Sequence, residues 1–344
     1  MQKGLVSLLT PMYNTGAYVH RLLDSVLNQT YPRIEMIVID DGSTDNSAEV
    51  VRGYIPRFEE KGYSLKYIYQ DNAGQSVAIR NGLKRIGGEF LAWPDSDDYY
   101  ASEDAIARMV ETLSAADPVF QMVRTQEVLV EDGSFRPIAF YGQKAHEEEG
   151  PGLFEDCLFG KNDFYFCAGA YMVRTEALYE MTEFDIYTEK GAGQNWQLFL
   201  PVLYKYRCKT ILSPLFHVVS RSRSHSRQFE TDYENLARQM DVYFKTQMET
   251  LKRIKGMPEA EREGYRLKLE AYYDSRLLDE AIRGNRRKEA KEKFRVCRAE
   301  LAAPALGCAP ALLLSLPGGT YVMNFIRYAV AGCKGLSRRL FKRK

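Results

Sequence analysis

The sequence lacks most of the marks of a specialised chain. Its six cysteines, at positions 157, 167, 208, 297, 308 and 333, include no CxxC pair, and their spacing does not fit a zinc site. Scattered thiols of this kind read as reduced cysteines of a cytosolic protein. No apolar run reaches the roughly twenty residues that a membrane-spanning helix needs. Even the apolar stretch 302–332 is broken by Pro304, Pro310, Pro317 and the Gly318-Gly319 pair. The opening MQKGLVSLLTPMYN is too short in its apolar part for a secretory signal. A net charge of +1 argues against a general nucleic-acid binder. No GxGxxG follows the first apolar run, which disfavours a dinucleotide-dependent oxidoreductase. No internal repeat is visible. What is present is 344 residues that are 45% hydrophobic, enough for a large core and one or two domains and too apolar for wholesale disorder.

The first hundred residues alternate strand-like and helix-like stretches. Residues 5–9, 36–39, 65–69 and 90–93 are short apolar runs. Between them, Leu22, Leu23, Val26 and Leu27, then Val50, Val51, Tyr54, Ile55 and Phe58, then residues 77–86, keep helical spacing. Short joints between such elements predict βαβ units and a mostly parallel sheet flanked by helices. In sheets of this kind the ligand crevice lies outside the carboxyl ends of the strands. Four polar joints fall there: residues 10–14, 40–45, 71–75 and 95–98.

The last joint carries the strongest chemistry. In FLAWPDSDDYY, residues 90–100, an apolar run stops at Pro94, and Asp95, Asp97 and Asp98 follow within four residues. Three like charges so close repel one another, and a divalent cation would remove the conflict. Hard oxygen ligands suit Mg2+ or Mn2+, and such an ion can hold a diphosphate. The plainer alternative is a solvated acidic turn. In the other joints Tyr13 offers a flat face to a base and Asp41 an acceptor to a base or ribose. Asn72, Gly74 and Arg80 line a joint and the helix after it, with Gly74 permitting close backbone approach and Arg80 able to fork onto an acceptor or stack on a ring. Taken singly, these residues are an exposed aromatic, a turn cap and a surface ion pair; their joint occurrence in one crevice favours a nucleotide.

The segments TPMYNTGAYVHRLLDSVLNQTY, EMIVIDDGSTDNS, NAGQSVAIRNG and FLAWPDSDDYY, in this order and spacing over residues 5–100, resemble the family 2 glycosyltransferases. The resemblance implies a GT-A-type, Rossmann-like α/β fold, a nucleotide-diphosphate sugar donor (a UDP-sugar foremost), Mn2+ or Mg2+, and inversion at the anomeric carbon. It implies that Pro11 and Tyr13 border the base, that Asp41 and Arg80 contact it, and that Asp95 and Asp97 form the DxD pair beside the ribose and the metal. Asp98 is a further metal-ligand candidate. A glycan or glycolipid acceptor on the cytoplasmic side of the cell envelope goes with this picture.

Beyond residue 100 the expectations are coarser. Ile106, Met109, Val110 and Leu113 mark a helix, residues 119–123 and 128–130 two strands, and Glu131-Asp132-Gly133-Ser134 a hairpin. Residues 145–152 read as a surface loop. In 165–173, YFCAGAYMV, a strand or close-packed loop, Gly169 either lets an acceptor approach or packs against the sheet. Residues 184–196 resemble the acceptor half of the family, with one departure. Where the family has Glu-Asp before an aromatic, and that aspartate is the implied base, this chain has Gln194, Asn195 and Trp196. An amide takes no proton near neutral pH. Asp185 or Glu189 then becomes the candidate base, or attack proceeds with weaker assistance, or the activity is lost. Gln194, Asn195 and Trp196 become acceptor-binding candidates, with Asn195 kept at the catalytic position that the resemblance implies, and Trp196 is equally placed for the core. Residues 214–217 with Arg221 and Arg223 resemble the family's loop after the last core strand. Arg221 or Arg223 would bind phosphate there, and His217 the metal or phosphate, though a lone histidine is more often structural. The expected domains are a catalytic one over 1–226 (1–100 for the nucleotide-sugar, 101–226 for the acceptor), a helical extension over 227–301, and an apolar, basic segment 302–344. That last segment is either a core helix with a basic tail or a peripheral membrane contact.

Overall fold

The computed structural model describes residues 1–143, 152–221 and 233–300. The expected alternation is there: β1 (Gln2–Met12), α1 (Val19–Leu27), β2 (Ile34–Asp41), α2 (Ser47–Glu60), β3 (Ser64–Gln70), α3 (Gln75–Leu83) and β4 (Gly88–Ala92). β2 is buried along its whole length, which is why its sequence is apolar almost without alternation. β1 pairs in parallel with β2 on one side and β4 on the other, and β3 lies beyond β2. The chain therefore reverses its direction of travel across the sheet between β3 and β4, and the crevice opens at the carboxyl ends of β1 and β4. Those ends carry the joints at residues 10–14 and 95–98.

The second half of the sheet is mixed. β5 (Tyr99–Tyr100), α4 (Ala105–Ala115), β6 (Phe120–Glu131) and β7 (Pro137–Tyr141) are followed by α5 (Gly152–Phe159), a 3-10 turn at Ala168–Ala170, β8 (Tyr171–Arg174), α6 (Thr175–Thr182), α7 (Asn195–Lys205) and β9 (Arg207–Ser220). The strand order is β3-β2-β1-β4-β8-β6-β9-β5, with β7 on β6. Two expectations are corrected here. The two strands expected at 119–123 and 128–130 are the single β6, which passes its polar middle by register shifts against β9. Residues 214–217 lie inside β9 rather than in a loop after it; Arg221 directly follows that strand, and Arg223 lies outside the described residues.

The core beneath the crevice is aromatic. Trp93, Tyr171 and Phe199 are fully buried, with Trp93 5.4 Å and Tyr171 4.3 Å from Phe199 between ring centroids. Such pairs contribute about 0.5–1.5 kcal/mol beyond area burial. They fix the residue from which Pro94 and the acids depart.

Among the described residues the chain forms two compact units. One takes 1–143, 152–221 and 245–258; the other takes 233–244 and 259–300. In the first, the later part of α8 (Tyr233–Arg253) is tied by Gln247, whose amide donates to the Leu158 carbonyl at 2.5 Å, and by an Arg253–Asp185 ion pair at 3.2 Å. In the second, α9 (Glu259–Arg283) and α10 (Arg287–Glu300) bury Leu278, Ala281, Ile282, Ala290 and Phe294 together. No helix among the described residues is long and apolar enough to cross a membrane. Most of the loop 145–152, Arg223 and the segment 302–344 lie outside the described residues.

Candidate functional site

Each polar joint is held by its neighbours before any ligand is considered. The Asp41 carboxylate, nearly buried, accepts from the Gln70 amide (2.7 Å), the Ala73 N–H (2.9 Å) and the Gly74 N–H (2.8 Å). Asn72 closes the arrangement by donating to the Asp41 carbonyl at 2.8 Å. Asp41 thus shapes the 72–74 loop, at the price in sequence freedom of two glycines. A Cβ on Gly42 would come 2.8 Å from the Asn72 nitrogen, and Gly74 has φ +97 at the start of α3 with open space where its Cβ would be. Tyr13 is 44% exposed and Pro11 buried at the end of β1. Arg80 reaches the Thr188 hydroxyl at 3.3 Å, while its buried Nε has no partner.

The three aspartates differ in surroundings. Asp95 Oδ1 accepts from the side-chain amides of Gln75 and Gln194, each at 3.1 Å. Burial and the charge of Asp97 push its carboxyl from 3.8 up to about 7. Asp97 is ion-paired with Arg221, whose guanidinium also lies over the Tyr18 ring at 5.0 Å. Asp98 is buried and accepts from the Val219 N–H of β9 at 2.8 Å. Burial, then Asp97 and Asp95, hold it well above the usual carboxylate range.

A fourth acid, Glu127 of β6, joins the cluster and was not singled out from sequence. It is 5% exposed, its Oε2 has no partner, and burial pushes it to about 7 against the opposing pull of the Cys167 thiol. Two-residue periodicity through a continuous β6 would have placed it facing inward with Thr125; the assumed break hid it. Cys157, Cys167 and Cys208 are buried and form no disulfide.

This donor set fits a hard divalent cation: carboxylate oxygens only, with burial raising Asp95, Asp98 and Glu127 and, among the described residues, Arg221 offsetting that rise at Asp95. Among the described residues no three acids, histidines or cysteines converge as a complete ligand shell. An ion here would therefore be held by one or two carboxylates and completed by a substrate's phosphates, as Mg2+ commonly is.

The acceptor-side residues are engaged otherwise. Gln194 is buried against Asp95, with its Oε1 unpartnered. Asn195 donates to the Phe166 carbonyl at 3.1 Å and Trp196 donates its indole N–H to the Cys157 carbonyl at 3.1 Å. A Cβ on Gly169 would fall 2.0 Å from the Phe216 ring, which gives a packing reason for that glycine. His217 stands edge-on to Tyr99 at 5.0 Å, with an unpartnered Nδ1, and burial lowers its basicity. Asp185 is exposed and paired with Arg253; Glu189 is exposed and accepts from the Tyr187 hydroxyl. Neither has a hydrogen bond or ion pair to the aspartate cluster. The 188–192 loop that carries Glu189 is, however, tied to α3 through Arg80–Thr188 and through the Ser76 hydroxyl donating to the Ala192 carbonyl at 2.5 Å.

Comparison with known proteins adds the lineage. The family model described as glycosyl transferase family 2 matches residues 7–182. A glycosyltransferase of Bacillus subtilis named for a proposed role in teichuronic acid biosynthesis, TuaG, is 32% identical over 133 residues, 38% of this chain and 50% of its own. The chain spans at most half the length of the first eight curated relatives it matches. Among solved structures, residues 1–349 of S. aureus TarS in complex with UDP-GlcNAc superpose with a TM-score of 0.56 at 20% identity, covering 79% of this chain and 73% of that one. The mannosyltransferase PcManGT of Pyrobaculum calidifontis, in complex with GDP-Man and Mn2+, superposes with a TM-score of 0.51 at 17% identity, covering 100% and 89%. At these identities the likeness is one of fold.

Proposed function

The chain belongs to glycosyl transferase family 2, and on that footing we propose that it moves a hexosyl unit from a UDP-sugar to a hydroxyl of a cell-surface glycan or glycolipid, with inversion and with Mn2+ or Mg2+ bound. The observation that carries the reading is the acidic cluster after β4, at the switch point of the sheet, with burial and mutual repulsion raising Asp95 and Asp98. Asp95 and Asp97 would hold the ion and the ribose, with Asp98 behind them. The bound ion supplies Lewis-acid stabilisation of the departing diphosphate. Pro11 and Tyr13 border the base, and Asp41 acts by holding the 72–74 loop against it, with Arg80 alongside. Arg221 and Arg223 serve the diphosphate. A base takes the acceptor's proton as its oxygen attacks; Asp185 and Glu189 are the candidates, with Glu189 on the loop tied to α3. Residues 1–226 are taken as the catalytic domain and 227–301 as the helical extension. Segment 302–344 is proposed to touch the cytoplasmic face of the membrane.

A second reading, a nucleotide-sugar binder without turnover, draws on a specific observation. Both amides at the family's acidic position are occupied in structural bonds, Gln194 with Asp95 and Asn195 with Phe166. Thermal-shift screening against UDP-sugars, GDP-sugars and NAD, with and without Mn2+, tests the donor, because a ligand bound only by the folded form raises the melting point. The expected result is a rise with a UDP-sugar that needs Mn2+ and vanishes in Asp97→Ala. Release of UDP from that donor separates the transferase from the binder; NAD stabilisation without metal would contradict both.

A further inference from the structure

Arg221 occupies a position that the metal reading leaves unexplained. Its guanidinium is ion-paired with Asp97, the acid in the middle of the DxD cluster, and rests on the face of Tyr18. Both side chains of the pair are largely withdrawn from solvent, 21% and 16% exposed, so the attraction is screened less than at an open surface. Tyr18 is fixed in turn, its hydroxyl donating to Asp132 at 3.2 Å at the tip of the β6–β7 hairpin, where Arg21 also pairs with Asp132. The guanidinium is incompletely satisfied, because its buried Nε has no partner. Among the described residues it is thus held by one ion pair and one ring, a seat that can be left.

We propose that Arg221 is a displaceable internal counter-ion: it neutralises Asp97 while the donor is absent, and the metal–nucleotide must dislodge it. This rests on the reading of Asp97 as a metal ligand. A guanidinium and a divalent cation drawn to one carboxylate repel each other at that distance, so the two compete. Metal alone gains a carboxylate and forces Arg221 to lose one, which disfavours the ion without nucleotide. Metal with a nucleoside diphosphate brings two or three negative charges of its own, and the displaced guanidinium, at the end of β9, has a phosphate to move to. Metal and nucleotide therefore bind as a unit, and the cluster takes up free cation only weakly. Gln75 and Gln194 cannot play this part, since neutral amides neither repel a cation nor release one.

The test uses the full chain and Mn2+ alone, with free aqueous Mn2+ followed by its electron paramagnetic resonance signal. Arg221→Ala and Arg221→Gln should each bind Mn2+ about fivefold or more tightly than the parent, Arg221→Lys should fall between, and Tyr18→Leu should shift the same way by less. With UDP present the order should invert, the alanine and glutamine variants being stabilised less by UDP and Mn2+ than the parent. Unchanged or weaker Mn2+ binding in both Arg221 variants, while Asp97→Asn abolishes it, overturns the counter-ion role and leaves the metal reading standing. An Asp97→Asn chain that takes up Mn2+ and UDP as the parent does overturns both.

Discussion

Replacing Asp95 by asparagine should stabilise the ligand-free chain while disarming it. Burial and the charge of Asp97 raise this carboxyl from 3.8 to about 7. For an acid raised in this way, the folded chain binds more protons than the unfolded chain between those two values. Stability is therefore lost as pH rises through that window, and the loss is complete above it. Across the full window the cost is about 4 kcal/mol, at about 1.36 kcal/mol per tenfold change. Asparagine keeps an acceptor for the Gln75 and Gln194 amides but carries no charge to titrate. Its advantage over aspartate should therefore grow by about 2 kcal/mol between about pH 5.5 and about pH 8, whatever the fixed difference in hydrogen-bond strength. In a domain of this size that is about 4–8 °C of relative Tm. Calorimetry of parent and variant at the two pH values, without nucleotide or metal, gives the double difference directly. The same scans with UDP and Mn2+ should show the variant's ligand-induced rise reduced or gone. An advantage that stays constant with pH, or shrinks toward pH 8, refutes the electrostatic account of the cluster.

Three further outcomes follow from the geometry. Gly169→Ala drives a methyl to within 2.0 Å of the Phe216 ring, itself packed edge-on to Tyr100 at 5.1 Å. It should cost about 1–3 kcal/mol in denaturant or thermal unfolding, and an unchanged midpoint contradicts the packing reason for that glycine. Asp41→Ala strips the acceptor from the Ala73 and Gly74 N–H groups and the Gln70 amide. It should weaken UDP binding about tenfold or more through loss of the 72–74 loop, read by calorimetric titration. Asp185→Asn and Glu189→Gln should differ: the true base loses about 10²–10⁴ in kcat, and full activity in both places the base elsewhere in the chain.

The fold of the first hundred residues was legible because apolar runs and polar joints alternate there with little interruption, and because backbone geometry puts every such joint at one edge of a parallel sheet. The middle of the chain was less so. Arg124, Thr125, Gln126 and Glu127 look like a break between strands. They are accommodated by distant partners: Arg124 donates to the Thr210 hydroxyl at 3.1 Å, and the Thr125 carbonyl accepts from Tyr165 at 2.5 Å. Local polarity cannot reveal partners forty or eighty residues away. Residues 214–217 misled for another reason, since their resemblance to the family's loop after the last core strand set them outside a strand where β9 merely shifts register. In the site, the aspartates were readable as a set, but not their inequality. That Asp97 faces Arg221, that Asp98 is bonded to β9, and that Gln194 meets Asp95 are facts of tertiary packing. The change of company along α8, whose helical period runs on unbroken, is likewise invisible to periodicity.

The account turns on a cation seated among the acids after β4 and gripping the diphosphate of a sugar nucleotide. Crystals soaked with UDP and Mn2+, with diffraction measured at the manganese absorption edge, address this directly. The account predicts an anomalous peak beside Asp97 and Asp95, next to the diphosphate of UDP, with the uracil near Tyr13 and Asp41. Nucleotide bound elsewhere, or bound here with no manganese at those carboxylates, would contradict it.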